Sequence, residues 1–152
     1  MHFSCSASSI SVLALGACLL GAEATAAPPS DKAAAEAAAR FSQAMRSGDA
    51  SLLRPILPRS GKVQLRLVRM GPERGYFSAR QVEAMLGDFL AHGAISSVEI
   101  LRVERGREGF AVVHGRAAII DRQGRPCQVE LHLGLQPEAG RWVLREIRET
   151  PR

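Results

Sequence analysis

The sequence predicts an α+β domain, a curved antiparallel sheet of about five strands packed on two or three helices in the order α-α-β-α-β-β-β-β. Three observations carry that expectation. An amphipathic helix is written from Ser78 to Gly93, the last third of the chain alternates apolar and polar residues, and an alanine-rich stretch near the start repeats its apolar residues at helical spacing. A helix with one apolar face needs cover, and an antiparallel sheet that is apolar on one side supplies it.

The leader comes first. Residues 1–26 read as a signal peptide: Ile10–Leu20 is apolar but too short to span a bilayer, and Ala24-Thr25-Ala26 is a small-residue site of the kind a signal peptidase cuts. Cleavage is expected between Ala26 and Ala27, and an exported, periplasmic protein follows from it. A second reading makes Leu15-Gly16-Ala17-Cys18 a lipoprotein signal, with Cys18 lipidated and the protein anchored to the membrane. Residues 27–30 form a spacer, and residues 31–149 are expected to make one domain. All 20 Lys and Arg lie beyond the leader, while one of the 15 acids, Glu23, leaves with it, so the mature net charge is +6. Cys127 is then the one remaining cysteine, which excludes an intrachain disulfide, and its phase with Val129, Leu131, Leu133 and Leu135 points to burial.

Ser30 or Asp31 can cap the first helix, whose face is Ala34, Ala37, Ala38, Phe41 and Met45, with Gly48 as its stop. Asp49 can cap a short helical turn through Leu53, which Pro55 and Pro58 keep from growing. Residues 61–70 alternate Val63, Leu65 and Leu67 with Lys62, Gln64 and Arg66, the period of a half-buried strand. In Ser78-Ala79-Arg80-Gln81 the spacing is that of a capping box, and Val82, Met85, Leu86, Phe89 and Leu90 share the face of the helix that follows, with Gly93 offering its left-handed stop. Four strands complete the chain, over 94–104, 110–121, 126–136 and 141–149. The break in alternation at Trp142, Leu144 and Ile147 marks a bulge.

One turn fixes a register. If residues 122–124 form a three-residue loop with Gly124 left-handed, Asp121 meets Arg125, Arg116 faces Glu130 and His114 faces His132. The other face then aligns Ile119, Ala117, Gly115 and Val113 with Cys127, Val129, Leu131 and Leu133.

This order of elements resembles the nuclear transport factor 2-like (cystatin-like) superfamily. The stretch from Tyr76 to Phe89, with residues 124–135 and Trp142–Ile147, is similar to small exported bacterial proteins of domain of unknown function 4783. The resemblance implies a cone-shaped fold with a helix-lined cavity in the concave sheet, often as a homodimer. It implies no activity, because the superfamily places enzymes and binding modules on one scaffold.

Chemistry is sparse. An isomerase or dehydratase of this shape needs an enclosed carboxylate or His beside an oxyanion donor, and the candidates have other uses: Asp49 as a cap, Asp121 at a turn, Asp88 toward solvent. Tyr76, the one tyrosine, can line a cavity mouth or staple the helix start. His114 and His132 lack a clear third ligand for a metal. A serine nucleophile elbow, a phosphate loop and paired cysteines are absent as motifs. No catalytic, cofactor or metal residue is therefore assigned. The basic run Arg54, Arg59, Lys62, Arg66, Arg69 and Arg74, with Glu73 its one acid, is the remaining feature, and Lys62, Arg66 and Arg69 are the candidate contacts for an anionic envelope surface. The competing use of such charges is to protect an edge strand. The expectation is an exported non-catalytic module for a small apolar ligand or a protein partner, the alternatives being a cavity enzyme and a docking module. Export argues against nucleic acid, and membrane contact would come through Cys18 or weak electrostatics.

Overall fold

A computed structural model of the chain describes residues 29–71, 74–92, 94–106 and 109–152. The leader, with Cys18 and the Ala26/Ala27 site, and the stop at Gly93 lie outside the described residues. Helix α1 spans Asp31–Ser47, opened by the Ser30 hydroxyl accepting from the Ala33 N–H and closed by left-handed Gly48. A 3-10 helix over Ala50–Ile56 is capped by Asp49 and runs through Pro55. The chain continues with β1 (Val63–Arg66), β2 (Arg74–Phe77), α2 (Ala79–His92), β3 (Ala94–Arg105), β4 (Ala111–Ile120), β5 (Pro126–Glu138) and β6 (Arg141–Pro151).

The expected capping box forms, with the Gln81 side-chain oxygen accepting from the Ser78 N–H at 2.9 Å and the Ser78 hydroxyl accepting from the Gln81 N–H at 3.4 Å. Val82, Leu86 and Phe89 are buried, and Met85 and Leu90 pack against the same core. All five residues expected on the α1 face are buried, Phe41 fully. Phe41, Met45, Leu53, Leu86, Phe89 and Leu144 are fully buried in the core between helices and sheet.

The sheet has six strands in the order β2-β1-β6-β5-β4-β3. The strand expected over 61–70 stops at Arg66, because the N–H groups of Val68, Arg69 and Met70 donate to the Glu149 carboxylate instead of to a neighbouring strand. The chain then returns as β2, a sixth strand of four residues that starts at Arg74 and bends through Gly75 (φ 148°), too short for alternation to reveal. The sheet is also not wholly antiparallel, since β1 runs parallel to β6. That pairing puts β1 inside the sheet, so its charges do not guard an edge.

The hairpin register holds as derived. Asp121 and Arg125 close the turn around Gly124 (φ 75°), and His114 faces His132 while Arg116 faces Glu130. The bulge falls at Arg145, where the pairing shifts between Gly134–Glu146 and Leu135–Leu144. Cys127, expected to be buried, is half-buried at the margin of the core.

Candidate functional site

Two buried carboxylates stand out. Glu149 is 4% exposed and takes three backbone N–H groups, from Arg69 on Oε1 at 2.7 Å and from Val68 and Met70 on Oε2 at 2.9 Å each. Asp121 is 2% exposed and accepts from the backbone of Gln123 and Arg125 at 2.9 Å, from the Arg125 side chain at 3.1 Å and from Arg69 at 3.5 Å. The Arg125 backbone N–H, followed by its side chain and the Gln123 N–H, holds the Asp121 carboxyl below the usual aspartate range against the opposing effect of burial. Both acids are engaged by the chain itself, which leaves neither set up as a general base.

The other candidates from the sequence are accounted for. Asp49 accepts from the Ser51 hydroxyl and N–H, which lower its pKa. Asp88 is exposed and faces His92 at 3.2 Å. Tyr76 lies on β2 at 64% exposure, while Phe77, the residue before the cap, packs on the core. His114 and His132 meet edge to face with ring centroids 4.9 Å apart, and Glu104 reaches His114 Nε2 at 3.3 Å. Burial lowers the pKa of His132 first, with Arg148 and His114 adding to it.

The basic run divides. Arg54 forms a two-pronged pair with Glu83 at 2.7–3.0 Å, and Arg69 turns toward Asp121. Lys62 is exposed just before β1. Arg66, on the outer side of β1, pairs in register with Arg74 on one flank and Arg148 on the other. Sequence reading missed Arg148 as a member, since β1–β6 pairing joins residues about eighty positions apart; it missed the Glu149 clamp for the same reason.

An open cleft of about 500 Å³ lies between the 3-10 helix and the start of α2, with Pro55, Leu57, Pro58 and Ala79 as apolar surface and Arg54, Arg59, Arg80, Arg141 and Glu83 around them. Arg54 is neutralised by Glu83, and Arg141 donates to the Pro55 and Leu57 carbonyls and faces Glu138. Arg59 and Arg80 make no side-chain ion pair among the described residues.

With this geometry in hand the solved structures are informative. A domain of unknown function 4783 protein from Bacteroides uniformis is similar with a TM-score of 0.61 at 15% identity, over 75% of this chain and 95% of that one. The fold is nuclear transport factor 2-like. A nuclear transport factor 2-like protein from Cytophaga hutchinsonii is similar with a TM-score of 0.58 at 11% identity, over 80% of this chain and 97% of that one. A candidate isomerase from Bacillus subtilis reaches a TM-score of 0.62 at 14% identity, over 78% of this chain and 85% of that one. At these identities the likeness establishes the nuclear transport factor 2-like fold and carries no activity with it. No family model and no curated protein matches the chain.

Proposed function

We propose that the chain is an exported, non-catalytic binding module whose cleft beside α2 takes a small ligand with an apolar body and an acidic end. The observation that carries this reading is the cleft itself: apolar Leu57, Pro58 and Ala79 lie beside Arg59 and Arg80, two guanidinium groups without an ion-pair partner among the described residues. A guanidinium fork suits a carboxylate, and an apolar floor suits a hydrocarbon chain. The engagement of Asp121 and Glu149 by backbone N–H groups supports a binding role over proton transfer. Export rests on the leader, whose apolar core and small-residue site precede the folded domain by a few residues.

Calorimetric titration with decanoate and with decanol tests the ligand class. Decanoate binding more tightly than decanol, with Arg80→Glu cutting decanoate affinity at least tenfold, supports the reading; equal affinities, or none for either, overturn it. Cell fractionation with N-terminal sequencing tests export, a mature start at Ala27 being the expected result. A lipid-modified start at Cys18 would place the same module on the membrane.

A further inference from the structure

The outer side of the sheet carries a line of basic side chains that runs across every strand and shares no residue with the cleft. Strand register places Arg74, Arg66, Arg148, His132, His114 and Arg102 side by side on β2, β1, β6, β5, β4 and β3 in turn. With neighbouring strands about 4.8 Å apart, the line is about 24 Å long. Arg74, Arg66 and Arg148 make no ion pair among the described residues, and Arg66 has the neutral Gln64 amide beside it. Arg102 and His114 share the Glu104 carboxylate. Like charges directly opposite on a sheet destabilise it, so folding alone gives no reason to align Arg74, Arg66 and Arg148.

The neighbouring rows decide the kind of partner. Glu146 and Glu104 flank the row on one side; on the other, Arg116 stands between Glu130 and Glu99, and Arg152 pairs with Glu130. A flat anionic bilayer laid on this face would press its phosphates against Glu146 and Glu104. A second copy of the chain would find few apolar groups there, and well-packed interfaces are depleted of charge at their centres. A single-file polyanion meets Arg74, Arg66 and Arg148 and avoids the Glu146–Glu104 row. At His114 and His132 the line also dips into a recess of about 290 Å³, bordered by Arg102, Glu130, Arg152 and Leu101.

We infer that this row binds an extended acidic glycan, a polyuronate with one carboxylate per sugar, laid across the strands. A hexuronate residue advances its chain by close to one strand spacing, so carboxylates along such a chain can come within reach of Arg74, Arg66 and Arg148 on neighbouring strands. The phosphates of a linear polyphosphate follow one another more closely than the strands do. Binding is electrostatic in large part and weakens with salt.

The test uses the purified protein and a fluorescently labelled decagalacturonate, read by polarisation, with linear polyphosphate and phosphatidylglycerol vesicles as competing probes. Saturable binding that falls at least tenfold in the double variant Arg66→Glu/Arg148→Glu and stays within twofold in Arg40→Glu/Arg46→Glu, a pair on α1 away from the row, supports the inference. Circular dichroism confirms that each variant is folded, and Arg66→Gln with Arg148→Gln serves as a milder pair expected to lose several-fold. Equal loss in the α1 variant means unspecific charge attraction and overturns the proposal. Preference for polyphosphate or vesicles over the glycan, or sedimentation showing that copies of the chain pair through this face, overturns it as well.

Discussion

The two faces of the sheet are built from the same strands and obey different rules. On the inner face, Val63, Leu65, Val113, Ala117, Val129, Leu131, Leu133 and Ile147 are all buried, and the two acids among them, Asp121 and Glu149, are matched by N–H donors. On the outer face, basic side chains stand opposite one another across six strands, and Arg74, Arg66 and Arg148 make no ion pair among the described residues. The inner face minimises free energy locally; the outer face tolerates repulsion that a stable fold does not require. That difference argues that the inside serves the fold and the outside serves recognition.

Substitutions can break the comparison, beginning where the effect is greatest. Phe41→Ala empties a fully buried aromatic site and is expected to cost about 4 kcal/mol in urea denaturation. Next comes Glu149→Ala, which leaves three backbone N–H groups without their acceptor and is expected to cost about 3 kcal/mol while loosening residues 68–70 in hydrogen exchange. Retained stability in that variant would show that the clamp is incidental. For Asp121→Asn a smaller loss is expected, with a pH signature. Because the folded-state pKa of Asp121 is lowered, its stabilisation is present above the ordinary aspartate range and fades as pH falls through the folded value, so wild type and variant should converge in acid melts.

The outer face should respond differently. Arg148→Ala relieves repulsion with Arg66 and is expected to leave stability within about 0.5 kcal/mol of wild type or slightly raise it. The smallest effect belongs to His132→Gln. With its pKa lowered by burial, Arg148 and His114, and raised in part by Glu130 and Glu146, His132 withholds stability as pH falls below the ordinary imidazole value; beside it Arg102 and Glu104 face His114. The variant should lose less stability than wild type on that acidic side, by thermal melts across the histidine range.

How much of this was legible in the sequence follows from chain separation. The inner face was, since period-2 alternation states which side is buried, and the β4–β5 register was, since a single turn at Asp121–Arg125 fixes it. The capping box and both helix faces are also local patterns. The cation row was half visible: the turn placed His114 opposite His132, and Arg66 was singled out, but their connection runs through parallel β1–β6 pairing and through β2, neither of which has a local signature. Glu149 looked like one more acid at the end of a strand, and its partners Val68–Met70 are defined by a loop that its own carboxylate creates.

The division between faces can be tested in one measurement, a two-dimensional amide NMR titration of the ¹⁵N-labelled protein with decagalacturonate. Progressive shifts confined to Arg66, Arg74, Arg102, His114, His132, Arg148 and their immediate neighbours, with Leu86, Phe89 and the Glu149-bound loop unmoved, are the expected result. Shifts centred on the helices or on the 68–70 loop, with the outer row silent, would contradict it.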